Sequence, residues 1–143
     1  MKNLVLVARV LLGGWMLFWG VHFFAGLPEP MGTHSRALRL AMADSGLFTL
    51  AKAIEVFLGV TLLGNRFVPA ALVIGLPVTI NIAWIDLVME RSLRSNFFGA
   101  AELVLHVLLM LAYLRAYLPM LAWRVQPSCV SGRELSAAFW AEI

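Results

Sequence analysis

The stretch Leu47–Gly64 constrains this chain more than any other. It is apolar enough to lie in a bilayer, yet it carries Lys52 and Glu55 in its first turns. An ionisable side chain in a membrane span costs several kcal/mol unless it is paired or faces a protected interior. Such a helix needs other helices around it, and the sequence supplies three more long apolar runs.

The chain has 143 residues, 62% of them apolar and 13% charged. A soluble domain runs near 45–50% apolar and about 25% charged. Mean hydropathy is +0.87, so lipid is the expected solvent for most of the surface. The net charge of +3 comes without any basic run, so a nucleic-acid partner is not expected. Cys129 is the one cysteine, which excludes an intrachain disulfide and a C-x-x-C redox pair.

The reading is all-α: an integral membrane four-helix bundle. Its transmembrane domain covers 1–118, with spans at about 4–27, 47–64, 67–88 and 97–118. The first apolar run is longer than a signal-peptide core of roughly 7–15 residues and reads as an anchor. Arg9 is near enough to its start to reach the headgroups. Gly13, Gly14 and Gly20 offer places for close helix approach. Trp15 and Trp19 share a face and read as packing or lipid contact. Pro28 and Pro30 close the first span, and Met31–Ser45 is too short and charged to cross. It reads as an interfacial helix or lid between spans one and two. Asn65 and Arg66 form a turn, Pro77 predicts a kink that frees the carbonyl of Val73, and Met89–Asn96 reads as a loop. Tyr113, Arg115 and Tyr117 mark the inner interface. The tail, 119–143, carries a capping box at Ser131 and Glu134, followed by a short amphipathic surface helix through Leu135, Phe139 and Ile143.

Lys and Arg number six on the side of the termini and five on the other. That small excess places both termini in the cytoplasm of a bacterial inner membrane.

The polar groups inside the spans fall at one level. By helical rise from the outer end, Asp86 lies roughly 3 Å down, His22, Lys52 and Glu102 about 7–8 Å, Asn81 about 10 Å, and Glu55 and His106 about 12–13 Å. Every span contributes to this layer, which predicts that the seven meet in a cavity capped by the 31–45 segment. With both histidines neutral the layer sums to −2, which protons, a metal or a ligand could offset. Glu102, His106, His22 and Glu55 are suitable metal-ligand types, but the spacing is not the Glu-x-x-His of di-iron bundles, and no metal site is assigned. A self-satisfied network that fixes helix register and a pocket for a quinone head both remain open. Proton or ion movement would need a path through an apolar inner half.

Several runs together resemble the DoxX-like family of small four-span membrane proteins. They are Arg9–Gly13, Lys52–Gly59, Arg66–Leu72, Leu76–Ile82 and, more loosely, Leu111–Tyr117. The resemblance covers roughly residues 5–118, and where the family often has a histidine this chain has Asp86. It implies a four-helix membrane fold. Some relatives are quinone-reducing subunits, some belong to redox-stress complexes, and distant ones act as cargo receptors. The expectation is an accessory membrane subunit, with partner subunits or further copies of itself, whose outer-half pocket takes a quinone-like molecule. The alternatives are a quinone-linked oxidoreductase subunit, with Glu55, Glu102 or His106 as proton acceptor, and a structural or chaperone-like protein. No catalytic motif is present.

Overall fold

The computed structural model describes residues 2–28, 32–121, 131 and 134, and among these there is no strand. Helix α1 (Lys2–Phe24) is followed by the short α2 (Arg36–Asp44) and then by α3 (Leu47–Gly64). Helix α4 (Val68–Trp84) runs on into a π-helical turn, Ile85–Glu90. Helix α5 (Leu93–Ala112) leads to the one-turn α6 (Leu114–Tyr117) and a 3₁₀ turn at Leu118–Leu121. Counting the π-helical turn with α4, four of these helices have the length and apolarity to cross a membrane. The molecule is an all-α four-helix bundle, with α2 as the expected short helix between the first two spans.

Helices α1 and α3 form the closest pair, and glycine is the reason. A β-carbon at Gly59 would sit 2.7 Å from the backbone nitrogen of Leu17 and 2.8 Å from the carbonyl of Gly13. One at Gly20 would meet Val56 at 2.5 Å. Backbones this near gain dispersion contacts that larger side chains would prevent, the usual means of helix association without a hydrophobic drive between spans. Gly13 takes part, whereas Gly14 faces open space.

The inner half is packed with apolar side chains. Leu12, Met16, Leu58, Leu62, Leu72 and Leu109 are all but fully buried. Two polar ties close this end. The Arg9 guanidinium donates to the side chain of Asn65, so it is fastened to the α3–α4 turn rather than only reaching for headgroups. The Tyr117 hydroxyl donates to the carbonyl of Pro69 at 3.0 Å. Asn65 and Phe67 both take the left-handed conformation, each with φ 54°, and so reverse the chain within three residues.

The outer end departs from expectation in one respect. Met89–Asn96 is not a loop: the π-helical turn reaches Glu90 and α5 begins at Leu93. Ser92 caps α5, its hydroxyl accepting from the amide of Ser95 at 3.1 Å. Helix α4 continues past Pro77 to Trp84. In the tail, Ser131 and Glu134 form the expected capping box: the Glu134 carboxylate accepts from the Ser131 amide at 2.9 Å, which holds its carboxyl below the usual range. The surface helix predicted beyond it lies outside the described residues, as does Cys129.

Candidate functional site: the buried outer-half cluster

Three helices bring ionisable side chains into contact at the predicted level. On α3, Lys52 and Glu55 are one turn apart, and both point inward because the face they share also carries Gly59, against α1. They are 7% and 3% exposed, and the ammonium lies 3.0 Å from the carboxylate. Phe48 covers the other side of the ammonium, its ring centre 5.4 Å from Nζ. A buried cation with a carboxylate on one side and an aromatic face on the other is a stable way to keep charge away from water.

Glu102 enters from α5 and is 5% exposed. Its Oε2 accepts from the indole N–H of Trp15 at 3.2 Å. Trp15 is held flat against Phe98, with ring centres 5.0 Å apart and planes 16° from parallel. The other oxygen, Oε1, is buried and has no hydrogen-bond partner among the described residues. The charges that act on Glu102 are Glu55, Asp86 and Lys52.

Asp86 sits on the π-helical turn, a feature often found where a helix must re-aim a side chain. Gly99 on α5 leaves it room: a β-carbon there would meet that of Asp86 at 2.8 Å. Its ion-pair partner is Arg39 of α2, at 3.6 Å. Four residues on, Glu90 accepts from the amide of Ser35 at 2.6 Å, and Gly32 fits against the same carboxylate. Ser35 is fully buried, and its hydroxyl accepts from Arg39 Nε at 3.0 Å. The segment 32–44 is thus pinned over the cluster by Ser35 and Arg39, as the lid reading expects.

The remaining three predicted residues do not join. His106 is fully buried one turn below Glu102, and both ring nitrogens are used. Nε2 lies 2.9 Å from the carbonyl of Leu72 and Nδ1 2.9 Å from the hydroxyl of Thr79. A carbonyl only accepts, so Nε2 carries the proton and Nδ1 accepts from Thr79: a neutral imidazole joining α4 to α5. The carbonyl it binds is one residue before that of Val73, which Pro77 deprives of its helical donor. Asn81 is exposed on the outside of α4. His22 is half-buried on α1, against Phe18 and Trp19 with ring centres 5.8 and 5.3 Å away. Its Nδ1 is buried without a partner among the described residues. So the seven do not share one cavity. Lys52, Glu55, Asp86 and Glu102 form a packed cluster; His106 is a separate brace; Asn81 and His22 lie on outer faces.

No family model, curated protein or solved structure matches the chain.

A groove of about 450 Å³ runs along α1 beside His22, lined also by Gly14, Leu17, Phe18, Val21, Ala25 and Leu27. The absence of a side chain at Gly14 opens its lower end. Aromatic rings connect it to the cluster: His22 to Trp19 at 5.3 Å, Trp19 to Trp15 at 5.7 Å, and Trp15 by hydrogen bond to Glu102. Sequence reasoning assigned the two tryptophans to packing and missed this link. Their four-residue spacing was the available signal, since it puts both indoles on the face that holds Glu102. Among the described residues no group of His, Cys, Asp or Glu side chains is arranged to hold a metal.

Proposed function

We propose that the chain is a DoxX-like accessory subunit of a bacterial cytoplasmic membrane complex, with both termini on the cytoplasmic side, and that it holds a quinone-like molecule in the outer-leaflet half. One observation carries this reading: the buried, unpartnered Nδ1 of His22 lies in an apolar groove large enough for a ring. Small-molecule sites of about 300–1,000 Å³ are mostly apolar, with few polar groups to fix orientation. A quinone carbonyl accepts from an imidazole N–H and a quinol hydroxyl donates to an imidazole nitrogen, so either form satisfies His22. Phe18 and Trp19 flank the ring position, and the groove toward Gly14 suits an isoprenoid tail.

The test is direct. Lipid extracted from the purified protein should contain quinone, and added short-chain quinone should quench tryptophan fluorescence. His22→Leu should weaken binding about tenfold, the value of one hydrogen bond of about 1.4 kcal/mol. A quinone-free preparation that also fails to bind added quinone ends this reading.

A second reading has its own observation. His106 with Thr79 and Leu72, and Lys52 with Glu55, are satisfied inside the fold. Under it the polar groups fix helix register and the protein is structural. Failure of every quinone assay together with strong stability losses on the outer-half substitutions would favour it.

A further inference from the structure

The cluster contains two cations and three acids, and the cations are each engaged with one acid. Lys52 pairs with Glu55 at 3.0 Å and Arg39 with Asp86 at 3.6 Å. Glu102 is the acid left over. Its one hydrogen bond comes from a neutral indole, and two of the three charges acting on it are negative. Other ionisable groups on the packed elements do not relieve it. His106 is neutral and bonded at both nitrogens; Glu90 is turned to the amide of Ser35; from α1 only the Trp15 indole arrives.

A carboxylate is acceptor-only, and one buried with a single neutral donor is poorly compensated. A carboxylic acid in the same place carries no charge and has one O–H of its own. The oxygen that lacks a donor, Oε1, is where that hydrogen would sit. We propose that Glu102 is a proton-binding site of the membrane-buried cluster, holding one exchangeable proton on Oε1 and thereby bringing the five charged groups to neutrality. The outer surface is the side it exchanges with. Asp86, whose charge acts on Glu102, is 18% exposed in its side chain, and Arg39, which covers it, 19%. The inner side is sealed by Leu58, Leu72 and Leu109. This proposal does not depend on a quinone: the proton is held whether or not the α1 groove is occupied.

The experiment is infrared difference spectroscopy on the full chain in lipid vesicles at neutral pH. The wild type should show a protonated-carboxyl C=O band that shifts on transfer to deuterated buffer. Glu102→Gln should abolish the band, and Asp86→Asn should retain it. Because a neutral amide replaces a neutral acid, Glu102→Gln should also melt with the wild type. An absent band in the wild type, or one that survives Glu102→Gln, overturns the proposal. Should Glu102→Gln fail to fold, a lipid-soluble carbodiimide decides on the wild type. It attacks protonated carboxyls, and peptide mapping should find the adduct on Glu102; an adduct on Glu55 instead, or none on Glu102, overturns the assignment.

Discussion

The inner and outer halves of this bundle are held by opposite means. Inside, six nearly fully buried leucine and methionine side chains fill the space between helices, and polar atoms appear only at the rim, in the Arg9–Asn65 and Tyr117–Pro69 ties. Outside, the same helices meet through Lys52–Glu55, Trp15–Glu102 and Arg39–Asp86. Apolar packing has no wrong partner and tolerates small shifts. A charge pair in a water-poor interior has one good arrangement and a heavy cost for any other. The inner half is therefore suited to be scaffold, and the outer half to change state when a proton or a ligand changes one charge.

The sharpest way to break this contrast is Glu55→Gln. It leaves the Lys52 ammonium, 7% exposed, without its carboxylate. Removing one partner of a buried pair costs about 3–5 kcal/mol. Thermal unfolding in detergent should show the loss, and a loss under about 1 kcal/mol would mean that charge pairing does not hold the outer half. Next comes Leu62→Ala in the inner half, at a fully buried site. There the cost should be about 3 kcal/mol, from lost transfer energy plus the cavity. A much smaller loss would show that the inner helices close up, and that the scaffold is softer than its packing implies. Smallest is Arg39→Ala, whose pair with Asp86 is partly exposed and long at 3.6 Å. Its stability cost should be about 1 kcal/mol or less. Hydrogen exchange at the α2 amides should nevertheless rise, since Arg39 and Ser35 are what pin that helix. Unchanged exchange would mean α2 is held by something other than these contacts.

Much of the fold was legible in the sequence because lipid imposes a length and a composition on every span. The bounds of α3 agree with its apolar run, and the charges of Arg36, Arg39 and Asp44 marked α2 as a helix that does not cross. The site was legible only in depth. Rise per residue places a side chain along the membrane normal but says nothing of its direction around the helix axis. Asn81 and Glu55 have similar depths, yet one is exposed and the other is buried. His106 shares a face with Glu102, but the groups it meets, Thr79 and the Leu72 carbonyl, are on another helix, and hydropathy does not encode that pairing. The 89–96 segment was read as loop because Glu90, Arg91 and Arg94 are polar, whereas the cap at Ser92 and the widened turn before it keep nearly all of it helical.

That widened turn at Ile85–Glu90 has a consequence for how the chain can vary. Each residue of a regular helix advances the side chains by about 100°. Losing one residue here would restore a regular helix and swing everything after the loss by that angle, carrying Glu90 away from Ser35 and, if the loss precedes Asp86, Asp86 away from Arg39. Substitutions in this stretch are then far better tolerated than a change in its length, and the spacing between Pro77 and Ser92 behaves as a ruler for the whole outer mouth of the protein.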